Sequence, residues 1–174
     1  MTIQIVPVSA LGKDQEQSIR QNYKEARPVF ISADTKRSDP DIWESVRRRK
    51  YTHIILGPEQ AASKEFRMLL AEPEFKSNIA LVAIDEMHAV VAWADFREKY
   101  TLISELRRIL TDRVPIFGCT ATLTREQEIA AKESISFNLE GPNLYNLKII
   151  RVCINRPNIT IQAVQIPQGA LKSF

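Results

Sequence analysis

Short apolar runs alternate along the chain with longer stretches in which apolar residues recur at helical spacing. Apolar runs bounded by Gly, Pro or Asp are typical of strands, and the amphipathic stretches between them are typical of helices. The alternation predicts an α/β fold with a parallel sheet and flanking helices. The predicted strands are 3–8, 29–32, 53–56, 79–84 and 115–119, and the predicted helices are 11–23, 40–50, 59–70, 98–110 and 124–136.

The run 79–84 carries the first candidate chemistry, because it is almost wholly apolar and stops at Asp85 and Glu86. A strand of this kind is typical of the buried interior of a parallel sheet. Ligands bind at the carboxyl ends of such strands, so both carboxylates are expected at the active edge. The alternative is that they are two surface acids at the end of a strand.

A second candidate follows the strand 115–119, where the hydroxyls of Thr120 and Thr122 flank a small residue. Such hydroxyls can link neighbouring loops by hydrogen bonds. The alternative is a strand-to-helix turn in which they only cap. At the start of the next helix, Thr124 and Gln127 have the spacing of a capping box.

Composition and net charge say little about which class of molecule the chain binds. The formal net charge of +3 permits contact with nucleic acid but does not require it, since a specific binder is recognised by where its charges cluster. The basic run 47–50 is predicted to be a solvated helix C-terminus, where cations interact favourably with the helix dipole. Cys119 and Cys153 lie in apolar runs without metal-ligand spacing, so both are predicted to be reduced core residues.

The sequence gives no sign of a secretory signal, and no apolar run approaches the ~20 residues that span a bilayer. We therefore expect an intracellular protein, nuclear or cytoplasmic, without a membrane partner.

The order of these segments resembles that of superfamily-2 helicases. A strand ending in Asp85-Glu86-Met87-His88, followed by a strand ending in Thr120-Ala121-Thr122, resembles motifs II and III of that superfamily. Between them, Val-Val-Ala-Trp-Ala-Asp-Phe-Arg-Glu-Lys-Tyr (90–100) resembles the aromatic-rich loop of RecQ helicases, usually Trp-Gly-His-Asp-Phe-Arg-Pro-Glu-Tyr. Ordered matches carry more weight than any one short motif. Further matches are 5–15 to motif Ia, 54–60 to motif Ib, and 155–158 to the Arg-Pro-Asn before the second motor domain.

This resemblance, to a RecQ-like DEAH-type DNA helicase, implies a RecA-like first motor domain over 1–154 and the start of a linker over 155–174. It implies an ATP-dependent 3'–5' DNA helicase with ATP and Mg²⁺ as cofactors and single-stranded or forked DNA as partner. A nuclear location and a role in DNA repair and recombination follow from the same resemblance. The apolar segments 147–154 and 159–164 are predicted as strands near the boundary.

The resemblance also implies roles for single residues. Asp85 would coordinate Mg²⁺ through water, and Glu86 would position the hydrolytic water. His88 would relay the nucleotide state towards the DNA side through contacts near Thr120 and Thr122. The alternative for His88 is a histidine with only local partners.

On the DNA side, the resemblance implies that Trp93 and Phe96 stack on single-stranded bases, which is worth ~1–3 kcal/mol per base whatever the sequence. Arg97 would pair with phosphate or with the nucleotide. Ser9 and Lys13 would contact the DNA backbone. The alternative for the two aromatic residues is core packing.

The chain departs from the family's pattern in its aromatic loop, which is one residue shorter and lacks the histidine. Met87 replaces the usual alanine of motif II, and Glu98 replaces a proline. These changes bear on the coupling between DNA binding and hydrolysis.

The largest departure concerns the phosphate loop. No Gly-x-x-x-x-Gly-Lys-Ser/Thr occurs among the 174 residues, since Gly12-Lys13 is followed by Asp14 and the upstream glycine position is Pro7. That loop cradles the phosphates with backbone amides and a lysine. We therefore expect an incomplete sheet, without the phosphate-loop strand and helix and with a gap in its core, and no ATP hydrolysis by this chain alone. The alternatives are a non-catalytic module that binds single-stranded nucleic acid or a protein, and a remnant without activity.

Overall fold

The computed structural model describes residues 1–89, 106, 109–110, 114–134, 148–152 and 157–160. The strands are β1 (Thr2–Ile5), β2 (Pro28–Ile31), β3 (His53–Leu56), β4 (Leu81–Ile84) and β5 (Ile116–Gly118). The helices are α1 (Ser9–Asn22), α2 (Ala33–Ser38), α3 (Ile42–Arg47), α4 (Pro58–Ala61), α5 (Lys64–Ala71), α6 (Pro73–Ser77) and α7 (Arg125–Ser134). Most of the helix predicted over 98–110 lies outside the described residues.

The five strands form one parallel sheet in the order β2-β3-β1-β4-β5. The predicted parallel α/β architecture is confirmed. β1 pairs with β3 on one side and with β4 on the other, so the sheet is continuous from β2 to β5. The gap expected in the core of the sheet is therefore wrong for these five strands.

The two faces of the sheet are covered unequally. Ile3 and Ile5 of β1 are fully buried in the larger apolar cluster, whose largest fully buried side chain among the described residues is Phe66 of α5. Burying such side chains is the main source of stability in a domain of this size. The opposite face carries a smaller cluster, in which α1 lies against the sheet: Val6, Phe30 and Ile55, with Leu11 and Ile19 of α1 packed on them.

The edge of the sheet at β2 is closed by side chains. The outward N–H of Phe30 donates to Glu16 Oε2 at 3.2 Å, and its C=O accepts from Thr35 Oγ1 at 2.8 Å. The C=O of Pro28 accepts from Arg20 Nη2 at 3.1 Å. Unpaired edge groups can template pairing with another strand, and here the edge is already satisfied.

The edge at β5 is different. Pro115 accepts from Val82 N, and Cys119 donates to Ile84, so alternate residues of β5 face β4. The backbone groups of Ile116 and Gly118 therefore point away from the sheet. Among the described residues they have no partner strand.

Two of the differences from the predicted helices arise from serine caps. α2 has no counterpart in the prediction, and it begins where Ser32 Oγ accepts from Thr35 N at 3.2 Å. The helix predicted over 59–70 is divided into α4 and α5, because Ser63 Oγ accepts from Phe66 N at 3.3 Å and starts a new helix. Such caps satisfy amides that the first turn leaves free.

The basic run 47–50 is a solvated helix end, as predicted. Arg49 has a φ of 59°, and Lys50 N donates to Ser45 O at 3.1 Å, which closes α3 with a left-handed turn. The arginines are exposed and paired with acids on α3 and around α6: Arg47 with Glu72, Arg48 with Glu44, and Arg49 with Glu74.

The chain divides into two compact units, Met1–Leu144 and Tyr145–Phe174. In the second unit, residues 148–152 and 159–160 form no strand, and Ile150 and Val152 are 72% and 80% exposed. The strands predicted there are wrong over these residues, because an apolar run needs a pairing partner as well as its own pattern. The boundary at 154/155 stays a prediction. Within the described part of the chain, no helix is long and apolar enough to cross a membrane.

Candidate functional site

Asp85 follows β4 at the carboxyl end of the sheet, and its carboxylate accepts three hydrogen bonds. Oδ1 accepts from Glu86 N–H at 2.8 Å and from the Cys119 thiol at 3.3 Å. Oδ2 accepts from Gln15 Nε2 of α1 at 2.8 Å. The carboxylate is thus oriented from two loops and one helix.

Glu86 combines an unusual backbone with an unsatisfied side-chain oxygen. Its φ is 48°, a left-handed conformation that costs ~1–3 kcal/mol for a non-glycine residue and is concentrated at functional sites. The side chain is 38% exposed, but Oε2 is buried and accepts no hydrogen bond from the described residues. A buried acceptor without a hydrogen-bond donor is rare in folded proteins and calls for a functional explanation.

His88 joins the loop after β4 to the loop after β5. Its Nδ1 lies 2.8 Å from Thr120 Oγ1 and 3.0 Å from Glu86 Oε2. Only the Thr120 contact has the geometry of a hydrogen bond, so the Glu86 contact becomes an ion pair only when the ring is protonated. Thr120 Oγ1 also accepts from Thr122 N at 3.3 Å, and Ala121 between them is exposed. The structure therefore brings these residues together, and their roles stay predictions.

The loop after β4 also packs against the end of β5 through Met87 and Gly118. Met87 N donates to Cys119 O at 2.9 Å, and Met87 itself is buried. A Cβ on Gly118 would lie 2.4 Å from Met87 Sδ, so a side chain there would require the methionine to move. The methionine that departs from the family's alanine thus packs against a glycine at the end of β5.

Cys119 is not the buried core residue predicted from its apolar run, because it lies just beyond the short edge strand β5 and is exposed. Its thiol is shielded even so. Burial, followed by the hydrogen bond to Asp85, raises the pKa of Cys119 to about 11. The thiol is therefore protonated near neutral pH and acts as a donor to Asp85. Cys153 lies outside the described residues.

The candidate DNA contacts are described only in part. Ser9 is the first residue of α1, Lys13 lies one turn later, and both are exposed. The predicted stacking and phosphate contacts at Trp93, Phe96 and Arg97 lie outside the described residues.

Gln15 is a site residue that the sequence analysis missed. A signal was present, since Gln15 stands four positions from both Leu11 and Ile19, the α1 residues packed on the sheet. A polar residue in an apolar helical stripe requires a buried partner. In this chain the partner is Asp85.

The comparisons with known proteins agree with this geometry. The model of the DEAD/DEAH box helicase family matches residues 1–130. The chain is 26% identical over 170 residues to the ATP-dependent DNA helicase RecQ of Synechocystis sp., which covers 95% of the chain and 34% of that relative. It is 34% identical over 129 residues to the ATP-dependent DNA helicase RecQ of Bacillus subtilis, which covers 72% of the chain and 20% of that relative.

Solved helicases share the fold. The chain matches Mycobacterium smegmatis helicase Lhr bound to ssDNA and AMP-PNP with a TM-score of 0.58 and 22% identity, over 75% of the chain and 18% of that structure. It matches the DUF1998 helicase MrfA bound to DNA with a TM-score of 0.59 and 20% identity, over 78% of the chain and 19% of that structure.

The parallel sheet, the paired carboxyl-end loops and the family match define a RecA-like helicase motor fold. The chain belongs to the DEAD/DEAH box helicase family, and within it the chain is RecQ-like. It spans about a third and a fifth of the lengths of the two RecQ relatives.

Proposed function

We propose that this chain supplies the magnesium- and water-binding side of the ATP site in a 3'–5' RecQ-like DNA helicase. The observation that carries the proposal is the buried, unsatisfied Oε2 of Glu86, beside an Asp85 carboxylate that is already oriented. Glu86 accepts a proton from, or orients, the water that attacks the terminal phosphate. Nuclear function in DNA repair and recombination belongs to the same proposal.

The described residues fit a Mg²⁺ ion that keeps most of its waters. Among them, no group of three or more His, Cys, Asp or Glu side chains is arranged to hold a metal. Mg²⁺ in nucleotide sites is held by one or two carboxylates together with water and phosphate, rather than by a protein cage. Asp85 would hold the ion through water, and the bound ion would neutralise phosphate charge.

The His88–Thr120 hydrogen bond supports the proposed relay from the nucleotide towards the DNA. His88 lies within 3.0 Å of both Glu86 Oε2 and Thr120 Oγ1, so a change at the carboxylate reaches the loop after β5 through one ring. Thr120 in turn contacts the backbone of Thr122.

The 174 residues alone are expected to show no ATP hydrolysis above background, because no phosphate loop neutralises the phosphates. Phosphate release is measured with Mg²⁺ and single-stranded DNA, for the chain and for Glu86→Gln. Equal, background rates support the proposal. Turnover that disappears in Glu86→Gln shows that these residues suffice for catalysis and overturns it.

A second experiment tests for activity in a longer protein, obtained by extending the reading frame upstream of Met1. If a Gly-Lys-Ser/Thr loop is encoded there, the extended protein is expected to hydrolyse ATP and to lose that activity on Glu86→Gln.

A second candidate function is binding of single strands without catalysis, and exposed Lys13 and Ser9 on α1 favour it. Lhr and MrfA were solved with DNA bound. We expect Trp93→Ala to weaken binding of a labelled oligothymidine, measured by fluorescence anisotropy, by about 5- to 160-fold, since one stacked base contributes ~1–3 kcal/mol.

Lys13→Ala is expected to reduce both the affinity and its salt dependence, since one phosphate contact is lost. Lys24→Ala, at an exposed position just after α1, is the matched control. Unchanged affinity in Trp93→Ala would rule out stacking by that residue.

A further inference from the structure

We propose that Gln15 is a positioning residue for Asp85: its side-chain amide, itself held by Gln4, fixes the carboxylate in the orientation that binds the metal. The inference rests on the proposed function, in which Asp85 holds Mg²⁺ through water. It assigns part of that site to α1, outside the loops after β4 and β5.

The donors and acceptors in the series Gln4, Gln15 and Asp85 are fixed by the carboxylate at its end. A carboxylate only accepts, so Gln15 presents its NH₂ to Asp85 Oδ2, at 2.8 Å. The Gln15 oxygen then faces Gln4, whose NH₂ donates to it at 2.5 Å. Because Gln4 lies on β1, the amide of Gln15 is anchored to the middle strand of the sheet.

The position of Gln15 on α1 makes this contact specific. Leu11 and Ile19, one helical turn away on either side, pack on the sheet. Gln15 is therefore held between two apolar contacts, and its side chain reaches Asp85 from a helix that is 70 residues distant in sequence.

The number of acceptor positions explains why the contact matters for metal binding. Each carboxylate oxygen accepts about two hydrogen bonds. Among the described residues, Oδ1 already accepts from Glu86 N–H and the Cys119 thiol, whereas Oδ2 accepts one hydrogen bond, from Gln15. Oδ2 thus retains one acceptor position for a metal-bound water, and Gln15 determines where that position lies.

Metal affinity tests the proposal without requiring ATP hydrolysis. Mn²⁺ serves as the probe, and free Mn²⁺ is followed by electron paramagnetic resonance during titration of the whole chain. Gln15→Met preserves length and helix propensity but removes the donor, and we expect it to weaken Mn²⁺ binding about 10-fold, as for other residues that orient a metal ligand. Gln17→Met, exposed on the same helix, is the matched control and is expected to bind as the unchanged chain does.

Asp85→Asn separates this inference from the proposed function. Weaker Mn²⁺ binding in both Asp85→Asn and Gln15→Met, with the thermal unfolding temperature of Gln15→Met unchanged, supports the positioning role. Loss of binding in Asp85→Asn alone overturns the role of Gln15 and leaves the metal site standing. Unchanged binding in Asp85→Asn overturns both the metal site and the role of Gln15.

If Gln15→Met does not fold, Gln4→Met is the second variant. It removes the group that holds the Gln15 amide and leaves the Gln15 donor in place. Weaker Mn²⁺ binding in Gln4→Met then supports the inference, and unchanged binding contradicts it.

Discussion

Replacing Phe66 with alanine is expected to lower the free energy of unfolding by about 3–5 kcal/mol, the usual cost of deleting a buried aromatic ring. Phe66 is 0% exposed and belongs to the larger cluster. Its ring packs on Trp43 with centroids 5.9 Å apart and a tilt of 34°. The substitution therefore leaves a cavity beneath α5 and removes the aromatic neighbour of Trp43.

Urea denaturation, followed by tryptophan fluorescence and by backbone circular dichroism, measures this loss of stability. Met68→Ala, on the same helix but at a side chain that is 60% exposed, is expected to change stability by less than about 0.5 kcal/mol. Similar costs for the two variants would show that α5 is not anchored through Phe66.

Replacing Gly12 with alanine is expected to destabilise the chain by about 1–3 kcal/mol, the range for overpacking a close contact. In a solvated helix, glycine to alanine stabilises by about 1 kcal/mol, so the expected sign is the reverse of helix propensity. A Cβ at Gly12 would lie 2.4–2.8 Å from three atoms of the Phe30 ring, and Phe30 is itself buried.

A double-mutant cycle tests whether the destabilisation arises from the contact between position 12 and the Phe30 ring. Phe30→Leu shortens the ring side of the contact, so Gly12→Ala is expected to cost less in that background than in the original chain. Gln17→Ala, on the exposed face of α1, reports helix propensity alone. A stabilised Gly12→Ala variant would contradict the close approach of α1 to β2.

The five strands of the sheet could be predicted well, because each of their apolar runs is bounded by residues that stop a strand. β3 agrees with its prediction over 53–56, and β4 and β5 end where the candidate motifs begin. Helix boundaries could not be predicted as well, because Ser32 and Ser63 start helices through single side-chain hydrogen bonds. The Thr124–Gln127 capping box is confirmed, with both reciprocal bonds at 3.0 and 3.2 Å, because its two partners are local in sequence.

The order of the strands could not be predicted from the sequence. The expected gap assumed that a missing strand belongs in the interior, whereas β1 pairs on both sides. A pattern of apolar runs does not contain the order of the strands, which depends on crossovers between distant segments.

In the candidate site, too, some features could be predicted from the sequence and others could not. Asp85 and Thr120 could be placed at one edge of the sheet, because parallel strands share their carboxyl ends. The bond from Gln15 to Asp85 spans 70 residues, and the positive φ of Glu86 is imposed by the packed loop, so neither could be predicted from local pattern.

The two edges of the sheet differ in whether their backbone groups are free to pair with a further strand. At β2, an incoming strand would have to displace Glu16, Thr35 and Arg20 from the backbone groups they satisfy. At β5, the outward groups of Ile116 and Gly118 face no strand in the described part of the chain, and the neighbouring Phe117 is 55% exposed. An additional strand at β5 would therefore displace none of these side-chain contacts, and it would leave the registers of the five strands unchanged.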